Sequence, residues 1–188
     1  MALSDCAAAA VTTFPAVPVQ TSLGSIPLPV VMVAIAGSES GWVDDAQGDY
    51  GLSGPSCSGY TSWGLWQIHS VHSAYLEGVT GSTDPCAWAS WLYHPLNCAQ
   101  AALALSGPDP TAAQLADIWT TFADGSWAAH LEAAQAAVAA ATGSAESGAE
   151  SAGFSAPLSA LAPAVGLGVL VAAALAAAGV VEERRARR

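Results

Sequence analysis

The run Pro29-Val30-Val31-Met32-Val33-Ala34-Ile35-Ala36-Gly37 offers no polar residue to any face of a helix. A helix without a polar side cannot lie on a surface, so the rest of the domain must enclose this one. Ser25 is placed to cap it, with Pro27 in the first turn, where a missing N–H costs nothing. The helix is expected to run to about Ser40, and Glu39 is the first ionisable residue along it. A carboxyl group leaving so apolar a helix is poorly solvated. Its pKa should rise, so that it can hold a proton near neutral pH, as a general acid must.

A chain of 188 residues can surround such a helix with one ordinary core and still carry appendages. Residues 1–24, broken by Pro15 and Pro18 and rich in small side chains, read as an extended arm. With no basic stretch before an apolar core, they do not read as a secretory signal. Residues 43–62 concentrate Gly, Asp and Ser and suit loops or a short hairpin. A helix is expected from near Trp66 to before Gly78, and another opens at Asp84-Pro85 with Asp84 as its cap. Leu96–Leu105, Thr111 to Phe122 and Ser126 to about Ala141 complete the helices. The class is mainly α, with one small irregular or β lobe.

Charge is distributed unevenly. The four basic residues are Arg184, Arg185, Arg187 and Arg188; of 15 acids only Glu182 and Glu183 lie beyond residue 181, so 13 negative charges before it have no basic counterpart. Nucleic acid is excluded as a partner, because phosphate contacts need cations. A polymer bound here must be held by hydrogen bonds and aromatic stacking; the seven Trp residues could supply the stacking or simply fill the core. Cys6, Cys57, Cys86 and Cys98 include no Cys-x-x-Cys pair. Metal coordination is therefore not expected despite His69, His72 and His94, and no cofactor is implied. An even cysteine count favours two disulfides, with three connectivities open. The short loop between Cys86 and Cys98 makes that pair the first expectation, which leaves Cys6 with Cys57.

The chemistry-bearing segments follow one another in order. Glu39-Ser40-Gly41 precedes Ala46-Gln47-Gly48-Asp49, then Ser62-Trp63-Gly64-Leu65-Trp66-Gln67-Ile68. His94-Pro95-Leu96-Asn97-Cys98-Ala99 and Phe122-Ala123-Asp124-Gly125-Ser126-Trp127 come later. Singly, each also reads as structure: a surface charge after a helix, or core packing. Together, over residues 25–141, they resemble the lysozyme-like superfamily: the lytic transglycosylase and goose-type lysozyme domains, in versions carried by phages and actinobacteria. The resemblance implies a lysozyme-like fold. The substrate would be peptidoglycan, cut at the β-1,4 bond between N-acetylmuramic acid and N-acetylglucosamine, in cell-wall penetration or lysis. Glu39 would protonate the bridging oxygen and then act as base.

Two routes follow from that step. In a transglycosylase the sugar's own 6-hydroxyl attacks; in a hydrolase a water attacks, positioned by an Asp. Asp44, Asp45 and Asp49 are the candidates, Asp49 matching the resemblance best, although each also suits a turn. Ser62, Gly64, Leu65 and Gln67 would line the floor. Phe122 stands where many relatives carry Tyr, which removes a hydroxyl. The alternative class is a wall-binding or virion structural protein that holds glycan without cutting it.

Residues 142–156 read as a flexible Gly/Ser/Ala/Glu linker. Pro157–Val181 carries no charge for 25 residues, and the 19 from Pro163 onward, at about 1.5 Å each, reach nearly across a bilayer core. A membrane-spanning helix is expected there, with the 182–188 arginine tail cytoplasmic and the domain outside, in the cell envelope. A buried Ala-rich helix in a virus particle is the competing view.

Overall fold

In the computed structural model the described residues are 3–150, with side-chain surroundings over 3–143. They form a mainly helical fold with two small antiparallel sheets. The all-apolar segment is helix α2, Leu28–Ser40, and every residue from Leu28 to Gly37 is buried. It begins with Pro27 at the cap and Pro29 in the first turn; Ser25 lies in a strand instead. Two indoles grip its backbone: Trp66 Nε1 donates to the Met32 carbonyl at 2.8 Å and Trp42 Nε1 to that of Val33 at 2.9 Å. Gly37 lets the second of these close in, because a Cβ there would sit 2.7 Å from the Trp42 ring and 2.8 Å from His130.

The extended arm expected over residues 1–24 is a correction. Leu3–Thr13 is helix α1, and it packs against α2 and two later helices. The run Ala7–Ala10 has high helix propensity, and small side chains bring its axis close enough to bury Cys6, Ala7, Ala9 and Ala10. Strands β1 (Pro18–Thr21) and β2 (Gly24–Pro27) form a hairpin leading into α2, with Gly24 at φ 109° closing its turn.

The small lobe is β3 (Gln47–Gly48), β4 (Ser62–Trp63) and β5 (Ile68–His69), paired antiparallel in that order. No helix starts at Trp66. Gly64 to Gln67 is the turn of the β4–β5 hairpin, with Gly64 at φ 81° and Gln67 at φ 46°. A short 3-10 turn, Ser70–His72, then leads to α3, Ser73–Thr80. Helix α4, Pro85–Leu92, opens as expected, the Asp84 carboxylate accepting from the Cys86 N–H at 2.9 Å. Helix α5 spans Pro95–Ser106.

Thr111 and Gln114 cap one another to start α6, Ala112–Ile118. The helix expected to reach Phe122 breaks at Trp119, where the backbone turns extended before α7, Thr120–Ala123. Ser126 begins a 3-10 turn to His130, and α8 runs over Leu131–Glu150, through the first part of the expected linker.

The disulfide connectivity is also corrected. Cys57 bonds Cys86, joining the β3–β4 loop to the first turn of α4, while Cys6 and Cys98 are free thiols buried in the core. Burial pushes the Cys98 thiol up to about 12 and raises that of Cys6 further, so neither is a reactive thiolate. The expected membrane helix, 157–181, and the 182–188 tail lie outside the described residues. Among those described, no helix is long and apolar enough to cross a membrane.

Candidate functional site

Glu39 stands on the last turn of α2, half-buried, before Gly41 ends the helix in the left-handed conformation. The Thr121 hydroxyl, from the start of α7, donates to its Oε1 at 2.6 Å. Burial raises the carboxyl pKa; the Thr121 hydrogen bond works against it, and the Asp49 and Asp124 carboxylates add to the rise by repulsion. The net direction is upward, so protons stay on Glu39 at pH values where an exposed carboxyl has lost them.

Asp49 follows β3 with φ 59°, and its Oδ2 accepts a short hydrogen bond from the Ser62 hydroxyl of β4. Ser62 itself is buried. Asp124, at the end of α7, accepts from the Ser126 N–H at 2.9 Å, which holds its pKa down and keeps it ionised. The site thus sets a carboxyl whose pKa is raised, Glu39, near one whose pKa is lowered, Asp124, the kind of separation on which acid and base assignments rest.

The other residues read from the sequence have structural partners of their own. Leu65 is buried in the core. Gln67 spends its amide N–H groups on the carbonyls of Gly64 at 2.9 Å and Ala46 at 3.3 Å, clamping the hairpin turn. Gly64 is required by packing: a Cβ there would lie 2.6 Å from the Leu92 carbonyl oxygen and 2.8 Å from Cys98 Sγ. Gly64→Ala combines this overlap with a left-handed φ. It is expected to cost at least about 2 kcal/mol. Denaturant unfolding checks it, and an unchanged midpoint would contradict the packing account.

Phe122 is buried and stacked on Trp127, ring centroids 5.0 Å apart. It borders a cavity of about 320 Å³ shared with Thr21, Ala112, Asp124 and Trp127. The hydroxyl on Glu39 comes from its neighbour Thr121, which no spacing in the sequence marks. What aims it is the helix break at Trp119, whose Nε1 donates to the Trp66 carbonyl at 3.2 Å. Among the described residues no cluster of three or more His, Cys, Asp or Glu is arranged to hold a metal ion. Compared with protein-family models, curated proteins and solved structures, the chain matches none.

Proposed function

We propose that this protein is a peptidoglycan-cleaving glycosidase that cuts the β-1,4 bond between N-acetylmuramic acid and N-acetylglucosamine, with Glu39 as general acid and then base. The observation that carries the reading is the environment of Glu39: half-buried, its pKa raised chiefly by desolvation and further by the Asp49 and Asp124 carboxylates. A glycosidic oxygen is a poor leaving group until protonated, and a proton-retaining carboxyl meets that need. Asp49 is the candidate for positioning an attacking water, which favours hydrolysis; without such a water the sugar's own 6-hydroxyl would attack its C1 as the bridging oxygen leaves with the Glu39 proton, returning a proton to Glu39 and giving a 1,6-anhydro product. A wall substrate places the domain outside the cytoplasm, where the Cys57–Cys86 bond is stable.

Product analysis on purified sacculi tests the reading. New reducing ends support a hydrolase, anhydro ends a transglycosylase. Retained binding with no cleavage would favour the wall-holding alternative.

Thr121→Val probes the acid directly. The Thr121 hydroxyl stabilises the ionised carboxylate, so its loss should raise the Glu39 pKa further and move the alkaline limb of the pH–rate profile to higher pH. Thr121→Ser should behave like the parent. A Val profile superimposable on the parent's would show that this hydrogen bond does not tune the acid.

A further inference from the structure

Asp49 holds a left-handed backbone conformation, at φ 59°, that side-chain-bearing residues adopt only at a cost. It is exposed, yet it is gripped at two points. Ser62 bonds its carboxylate, and the Thr61 hydroxyl donates to its backbone carbonyl at 3.2 Å. Thr61 is completely buried, and its Oγ1 also lies 3.2 Å from His69 Nε2. The hydrogen-bond set assigns the direction of this chain. His69 Nδ1 accepts from the Val71 N–H at 3.0 Å, so a neutral imidazole carries its proton on Nε2. Nε2 therefore donates to Thr61 Oγ1, and the single Thr61 proton goes to Asp49. Every donor and acceptor in the chain is used once, and the pairing of Ser62 with His69 across β4 and β5 sets the spacing.

We propose that Thr61 and His69 are positioning residues for Asp49, fixing where its carboxylate stands relative to Glu39. Neither touches Glu39 in any hydrogen bond, and both act through the Asp49 backbone. The role in catalysis rests on the glycosidase reading; the positioning itself does not.

The groups that face Glu39 are the Asp49 and Asp124 carboxylates and the Thr121 hydroxyl, while His130 lies edge-on to Trp42 behind Gly37. Asp49 repels the ionised form of Glu39, so releasing Asp49 weakens that repulsion and lets Glu39 titrate at lower pH. Glu39 can be followed by carbon NMR of its side-chain carboxyl in the full chain. Thr61→Val, which keeps shape and loses the hydroxyl, should lower the Glu39 midpoint, and Thr61→Ser should restore it. In an Asp49→Asn background, where the charge is gone, Thr61→Val should change nothing further. His69→Phe should lower the midpoint as Thr61→Val does, which keeps the test open should the Val variant fold poorly. On sacculi, kcat should fall roughly tenfold with KM within about twofold, as expected when a reacting group is misplaced.

A folded Thr61→Val or His69→Phe protein with the parent Glu39 midpoint would overturn the inference. So would an effect of Thr61→Val that survives Asp49→Asn. If the parent protein cleaves no glycan, the glycosidase reading fails, and the NMR midpoints still decide the positioning.

Discussion

Glu39→Gln is expected to reduce glycan cleavage by about a hundredfold or more while leaving the fold intact. The amide keeps the shape of the carboxyl group, and its oxygen can still accept from Thr121. What it cannot do is surrender a proton to a bridging oxygen. The same change carries a second signature, in stability. The pKa of Glu39 is raised in the folded protein, so between the ordinary carboxylate range and that raised value the folded state binds more protons than the unfolded. Stability contributed by protonated Glu39 is therefore present at low pH and lost as pH rises through that window. Replacing the carboxyl by an amide removes this loss. The Gln variant should match the parent in acid and equal or exceed it at neutral pH, with sacculus binding retained. Turnover on sacculi and unfolding at two pH values read both effects. A variant that keeps most of its activity would sink the assignment of Glu39, and one that loses activity only because it melts would leave the acid role without support.

How much of this was legible in the sequence depended on the kind of signal. Helix α2 was, because a run with no polar face admits one solution, and so were the starts of α4 and α6, where Asp84 and Thr111 cap through their own side chains. Glu39 and Asp49 were singled out by motif; in the fold burial raises the Glu39 pKa, and the Asp49 carboxylate adds to the rise. Helix α1 was missed because alanine buries itself by close approach of backbones, which leaves no pattern of large apolar residues; the nearby prolines drew the reading toward an arm. The Leu65-Trp66 pair looks like helix, yet two left-handed residues, Gly64 and Gln67, bend it into a hairpin turn whose need is tertiary: Gly64 must fit beneath the Leu92 carbonyl. Thr121 was beyond reach for a related reason. One hydroxyl among many acquires meaning only when the break at Trp119 turns it toward Glu39.

Reducing the Cys57–Cys86 bond is expected to lower stability by roughly 3.5 kcal/mol, the chain-entropy value for a closed loop of about this length. The two cysteines are 29 residues apart, and the bond ties the β3–β4 loop to the start of α4. Choosing the shortest loop from the sequence favoured Cys86 with Cys98. In the fold, Cys98 instead turns inward from α5, where the Leu65 and Trp66 backbones reach its sulfur and Gly64 packs on it. Connectivity is a property of which faces meet, and spacing alone does not hold it. Thiol counting on the unfolded, unreduced protein should therefore find two free groups, rising to four after reduction. Cys57→Ser and Cys86→Ser should each reproduce the loss seen on reduction, while Cys98→Ser should act through the core and leave the bond in place. The loss should also reach the site, because Asp49 and Ser62 lie at the two ends of the stapled loop, whose tip the bond restrains. Four free thiols before reduction, or a denaturation midpoint indifferent to reductant, would refute this pairing and with it the view that the small lobe is held to α4 by a covalent staple.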